Sequence, residues 1–175
     1  MGNKVALREF QQRIAQRLQA AKLQSQSARW LAVECAGLGL LLPLKQASEI
    51  FSPVPMTPVP YTEPWMLGVA NLRGGLHAVV DLSQFLGLRQ QVRTDGNGRL
   101  VSFSSELNVN CALLVDRLLG LRADEQLRTV PPSTAARPHF APELREDEQG
   151  RRWQVLDLEA LTRFEPFLNI VAAAH

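Results

Sequence analysis

Apolar residues recur at helical spacing at the start of this chain and at strand spacing afterwards. Leu7, Phe10, Ile14, Leu18 and Ala21 lie three or four residues apart, with no Pro or Gly between residues 4 and 24. That spacing gathers them on one face and predicts a helix over 4–24. Gln24-Ser25-Gln26-Ser27 then reads as a polar linker. The apolar stripe needs cover, either from the chain's own body or from a partner. From residue 29 the pattern changes to short apolar runs, which predict strands over 30–36, 38–42, 76–80, 100–104, 110–115, 118–121 and 152–156. Residues 43–47 predict a single helical turn ahead of Ser48-Glu49-Ile50-Phe51, and 158–164 a short helix.

Breakers divide these runs. Residues 52–64 carry Pro53, Pro55, Pro58, Pro60 and Pro64, a spacing that forbids a helix or a central strand and predicts an ordered rim loop. Arg93-Thr94-Asp95-Gly96-Asn97-Gly98 predicts a turn or hinge, since Asp-Gly and Asn-Gly favour positive φ. Pro131, Pro132, Pro138 and Pro142 mark a second Pro-rich loop, and the acidic run Glu143, Glu146, Asp147, Glu148 before Gly150 an exposed hairpin. A repeat is also visible. Val79-Val80-Asp81-Leu82 returns as Val155-Leu156-Asp157-Leu158, and the strand pair 30–42 has a counterpart at 100–115. A duplicated small β unit follows, with the halves meeting near a hinge at 89–99. Short strands punctuated by Gly and Pro indicate a mainly β protein of small barrels or a sandwich.

At 175 residues and 46% apolar, the chain can build one real core or two small ones packed together. No apolar run reaches the roughly 20 residues that span a bilayer. The first residues lack a secretory h-region, so a cytoplasmic location is expected. Cys35 and Cys111 each sit in an apolar run and read as buried thiols. Residues 1–29 hold Lys4, Arg8, Arg13, Arg17, Lys22 and Arg29 against Glu9 alone, net +5, while the remainder is net −3. Without interleaved aromatics or a nucleic-acid motif, the basic end reads as a solvated helix face and not as a nucleic-acid site.

Candidate chemistry is sparse. His77, His139 and His175 have no second His or Cys at ligand spacing, so no metal site is expected. His77 and Asp81 share a strand face and form the one candidate dyad for a small β-domain enzyme, but no nucleophile motif accompanies them. Asp81 and Asp157 precede helix-like segments, where a carboxylate caps free backbone N–H groups. No phosphate-binding glycine loop is present. Arg73, in the turn Asn71-Leu72-Arg73-Gly74-Gly75, either holds that turn by donating to carbonyls or lines a contact groove.

The ordered set of Trp30-Leu31-Ala32-Val33, Gly39-Leu40-Leu41-Leu42-Pro43-Leu44, Ala47-Ser48-Glu49-Ile50, Pro64-Trp65-Met66-Leu67-Gly68, the Asn71-Leu72-Arg73-Gly74 turn and Val79-Val80-Asp81-Leu82 resembles the CheW family of chemotaxis adaptors. The resemblance covers residues 30 to about 164, more loosely in the second half. It implies two SH3-like β-barrels packed together over 29–167, preceded by a helix and linker at 1–28 and followed by a tail at 168–175. It implies no catalysis and no cofactor. The partners implied are the cytoplasmic tip of a methyl-accepting chemoreceptor and the regulatory domain of a CheA-type histidine kinase. Receptor contacts carried over by position fall at Ala47, Glu49, Arg73 and Leu118. Kinase contacts fall at Phe51, Val54 and Met56. The N-terminal helix, Val69-Ala70-Asn71 before the arginine, and Phe167-Leu168-Asn169-Ile170-Val171 most resemble the adaptor branch serving type IV pili and twitching motility. The alternative is an adaptor of flagellar chemotaxis. Ala78 replaces the family's usual proline in its strand, and His77 is unusual there.

Overall fold

A computed structural model describes residues 2–91, 96–132 and 135–171. Helix α1 (Gly2–Ser27) runs straight into strand β1 (Ala28–Cys35), so the expected linker at 24–27 is helical instead. β2 (Leu38–Pro43) returns antiparallel to β1. β3 (Ala47–Phe51), β4 (Met66–Leu72) and β5 (Gly75–Asp81) follow, then α2 (Leu82–Phe85), β6 (Arg99–Phe103), β7 (Cys111–Val115) and β8 (Arg117–Ala123). The chain ends with β9 (Leu127–Thr129), β10 (Leu144–Asp147), β11 (Arg152–Val155), α3 (Leu158–Leu161) and α4 (Glu165–Leu168). The helical turn expected at 43–47 is a tight turn, closed by Gln46 N donating to Pro43 O at 2.9 Å. The two repeated Asp residues do cap helices. Asp81 Oδ1 accepts from Gln84 N at the start of α2, and Asp157 Oδ1 from Ala160 N at the start of α3.

The strands form two sheets, ordered β8-β1-β2-β11-β10-β9 and β3-β6-β7-β5-β4. Each curls into a barrel. In the second, Thr57 N donates to Val69 O and Val69 N to Thr57 O, at 2.8 and 2.9 Å. The segment after edge strand β3 is thereby stitched to the opposite edge, β4. Gly68 permits this approach. Its φ is +142°, and a Cβ there would collide with the Thr57 carbonyl. In the first sheet, edge strands β8 and β9 are joined by one 3-10 turn at Asp124–Gln126. Residues 52–64 form the expected irregular rim loop, tied at Thr57 and by Glu63 N donating to Ile170 O at 2.8 Å. The C-terminal segment is therefore paired as far as Val171, which bridges Thr62.

The duplication is real but crossed. Hairpin β1–β2 lies parallel to β11, and hairpin β6–β7 lies parallel to β5. Each hairpin thus pairs with the Asp-ended strand of the other half. Residues 89–99 connect elements of a single sheet, and the chain passes between sheets elsewhere, at 44–46 and at Asp116. Polar side chains pin both crossings. Gln46, 6% exposed, donates from Nε2 to Asp157 Oδ1 at 3.0 Å and accepts from Leu158 N at 2.8 Å. Its backbone carbonyl accepts from Ser104 N. Asp116 accepts from Ala36 N at 2.7 Å and from both terminal nitrogens of Arg89.

Three apolar clusters fill the molecule. Leu31, Val33, Leu40 and Leu42 from one sheet meet Val80, Val101, Phe103, Leu113 and Val115 from the other in a shared layer. Alternate residues of the same strands point into the barrels. Ala32 and Leu41 join Trp153 and Val155 in one, while Leu100, Ala112 and Leu114 join Leu72 and Val79 in the other. Trp65, Phe85, Phe140, Phe164 and Phe167 close one end of the shared layer, with Phe85 and Phe167 centroids 5.1 Å apart. Both cysteines are free and buried, and burial pushes each thiol up to about 12. The described part of the helix stripe, by contrast, finds no cover, and the side chains of Leu7 and Ala21 lie outside those described. Phe10, Ile14 and Leu18 are 61%, 43% and 62% exposed, and α1's main tertiary contact is with β8.

Gln46→Leu should lower unfolding stability by about 2 kcal/mol, since it leaves Leu158 N unpaired inside the protein. A urea melt followed by tryptophan fluorescence measures this, and an unchanged midpoint would show that the crossing needs no pin. The thiols should resist iodoacetamide at pH 8 in the native state and react once urea exposes them, as mass spectrometry can read.

Candidate functional site

The turn at 71–75 is a two-residue hairpin. Leu72 pairs with Gly75, and the loop residues Arg73 and Gly74 have φ of +49° and +84°. Both values belong to a type I′ turn, whose twist matches that of the strands it joins. Gly adopts this backbone freely, whereas Arg pays for it. Asn71 offsets the cost, its Oδ1 accepting from Gly74 N at 2.8 Å. Asn71, not Arg73, holds the turn. Arg73 instead reaches out of it and forms an ion pair with Glu49, Nε to Oε2 at 2.7 Å. The two side chains are 75% and 43% exposed.

This ion pair joins residues from opposite edges of the sheet, on β3 and on the β4–β5 turn. Curling of the sheet makes it possible. Glu49 is fixed from behind, where β3 carries a bulge against β6 between Ala47 and Ile50. Ser102 fills that bulge, accepting from Glu49 N at 3.1 Å and donating to Glu49 O. Ala47 begins the same strand and packs on the shared apolar layer. The structure therefore gathers three of the four expected receptor residues at one end of a barrel. Leu118 is placed apart from them on β8 of the other sheet.

Leu118 lines a cleft of about 740 Å³ with Glu34, Arg89, Asn97, Arg99, Asp116 and Arg117. Glu34 binds Arg117 and also Arg151, the latter at 3.0 Å. The Arg117 hydrogen bond in particular holds its carboxyl below the usual carboxylate range. The cleft is charged, with Glu34 paired to Arg117 and Asp116 to Arg89, while Arg99 donates to the Gly98 carbonyl. Its arginines lie far apart in sequence, at 89, 99 and 117, so no motif announced it. Asp116, the first polar residue after the apolar run of β7, was the one available signal.

Phe51, Val54 and Met56 are half-buried, and each packs against the interior cluster of the β3–β7 barrel. They form its lid, so any contact they offer is the outer side of a core wall. The His77–Asp81 dyad does not form. His77 Nδ1 lies 3.0 Å from Gly75 O. Asp81 is four residues further along an extended strand, about 13 Å, buried and capping α2. Among the described residues no group of three His, Cys, Asp or Glu could hold a metal ion, and no helix is long and apolar enough to cross a membrane.

Comparison with known proteins accords with this geometry. The chain is 30% identical over 166 residues to Protein PilI of Pseudomonas aeruginosa strain PAO1, covering 90% of this chain and 88% of that protein. Scaffolding protein TtCheW from Thermoanaerobacter tengcongensis shares its fold, with a TM-score of 0.66 and 19% identity over 80% of this chain and 95% of that one. Residues 29–165 match the family described as CheW-like domain. With its two crossed barrels and its Asn71–Gly75 turn, the chain belongs to the CheW-like domain family.

Proposed function

We propose that this protein is a non-catalytic adaptor that couples methyl-accepting chemoreceptors to a CheA-type histidine kinase, in the signalling system controlling type IV pili and twitching motility. The observation that carries this reading is the similarity to PilI over 90% of the chain, a longer span than the CheW-like domain alone. The match thus reaches into α1, which favours the pilus branch over a flagellar adaptor. The adaptor works in the cytoplasm, needs no cofactor, and acts by presenting two surfaces at once.

Chemistry supports the assignment of those surfaces. The receptor surface centres on Arg73 and Glu49, with Ala47 beside them and Leu118 on β8 of the other barrel, at the charged cleft. An exposed ion pair contributes little to folding, at most about 1 kcal/mol. It can therefore exchange its internal partner for one on a receptor at small cost. The type I′ turn presents Arg73 on a rigid support, so little backbone freedom is lost on binding. The kinase surface is the rim of Phe51, Val54 and Met56, stiffened by Pro53 and Pro55.

The test is reconstitution with the cognate kinase and receptor tips. Kinase autophosphorylation should change when adaptor, kinase and receptor are all present, and not when any one is left out. Arg73→Ala should weaken receptor binding by about 1–3 kcal/mol at an unchanged melting temperature. Asn71→Ala should lower both binding and melting temperature, because it removes the turn's hydrogen bond. Normal coupling by a folded Arg73→Ala variant would take Arg73 out of the contact surface.

Val54→Asp should weaken kinase binding by at least ~2 kcal/mol, roughly thirtyfold, while receptor binding persists. Because Val54 also packs on the barrel interior, the variant is less stable too, and binding is read at a temperature where circular dichroism shows it folded. Loss of receptor binding with the kinase retained would mean that the two surfaces are exchanged.

A further inference from the structure

We infer that α1 is a docking helix for an acidic α-helical segment of a partner protein. The inference rests on the helix itself and holds for either adaptor branch. Phe10, Ile14 and Leu18 are all exposed, although each is separated from the next by a single turn on one face. At 3.6 residues per turn they occupy a sector only about 80° wide. Basic side chains border it on both sides. Arg17 and Arg13 fall about 20° and 60° beyond Phe10, and Lys22 about 40° beyond Leu18 on the other flank. All three border residues are exposed. The back of the helix carries Gln12, Gln16 and Gln19.

A narrow seam with charges on both borders is the arrangement of a helix that packs on another helix. The sign of the charge selects the partner. Helix α1 carries Lys4, Arg8, Arg13, Arg17 and Lys22 against Glu9 alone, so a second copy of α1 would be repelled along its length. A helix bearing Asp or Glu beside its own apolar seam would gain on both counts. An anionic bilayer also attracts basic helices, but adsorption there favours a broad apolar face that sinks into the acyl region. This seam is too narrow for that. The chain's own body does not cover Phe10, Ile14 or Leu18 either, as their exposure shows.

The experiment uses the full chain and a labelled three-heptad peptide with Leu and Ile along its seam and Glu beside it. A second peptide carries Gln in place of each Glu. Anisotropy should show the acidic peptide bound at least about tenfold tighter than the Gln peptide, with the difference shrinking as salt is raised. Arg13→Gln combined with Arg17→Gln should cost roughly tenfold, and Ile14→Gln should abolish binding. The thermal unfolding of the barrels should not move in either variant, since these residues are exposed. Equal affinity for the two peptides, or none, overturns the inference. So does adsorption to phosphatidylglycerol vesicles without peptide binding, or a dimer in sedimentation velocity that the α1 variants dissolve.

Discussion

Everything else in this molecule depends on one shared apolar layer between two curled sheets. Val33, Leu40 and Leu42 face Val101, Leu113 and Val115 across it, and all six are fully buried. Their strand neighbours Ala32, Leu41, Leu100 and Ala112 are buried equally, but inside a barrel. Strands β1, β2, β6 and β7 thus have no solvent face along most of their length. A strand buried on both faces cannot alternate polar with apolar. This is why Leu40-Leu41-Leu42 and Cys111-Ala112-Leu113-Leu114-Val115 are uninterrupted apolar runs. Neither barrel has a complete exterior without the other, so the two halves form one cooperative unit.

The crossed topology follows from the same layer. Each sheet holds a hairpin from one half and a parallel partner strand from the other. Parallel neighbours need a long connection. β5 reaches β7 through α2 and β6 of its own sheet, whereas β2 reaches β11 only by way of the other sheet. The chain must therefore cross a buried layer twice, carrying backbone polar groups that cannot remain unpaired. At the crossings the backbone of Leu44, Gln46 and Asp116 is paired with Arg29, Pro43, Ser104 and Glu34, while the Gln46 and Asp116 side chains bind Leu158 N and Ala36 N beside them. Polar side chains at these points fix which strands are joined, a specificity that the apolar contacts alone do not supply.

The outer surfaces are then free to vary. The ion pair of Arg73 and Glu49, the lid of Phe51, Val54 and Met56, and the charged cleft at Leu118 all lie where the layer ends. Their geometry is rigid because it is inherited from barrel closure. Arg73 and Glu49 come from opposite sheet edges and meet only because the sheet curls until Thr57 pairs with Val69. Side chains held this way keep their arrangement without a partner.

Local physics made much of this legible in the sequence. Residues 71–81 announce a glycine turn and a strand because a two-residue hairpin loop needs positive φ, which glycine supplies. Asp81 and Asp157 announce helix caps, and the double-sided strands show as apolar runs. The duplication was legible as well, since Val79-Val80-Asp81-Leu82 and Val155-Leu156-Asp157-Leu158 fill equivalent places in the two sheets. Other features exist only in three dimensions. β9 and β10 are short and charged, and they pair through Arg128 and Glu146, so no periodicity marks them. The extended helix through Ser27 defeats a boundary inferred from a polar run, because Gln and Ser are tolerated in helices. Which hairpin joins which strand is a property of the shared layer and its two polar pins. Likewise, that Asn71 bonds Gly74 while Arg73 pairs with Glu49 is visible only in three dimensions. Sequence determines the elements through local sterics and periodicity. Their exchange between barrels, and the meeting of Arg73 with Glu49, are decided by long-range burial, which no short window of sequence contains.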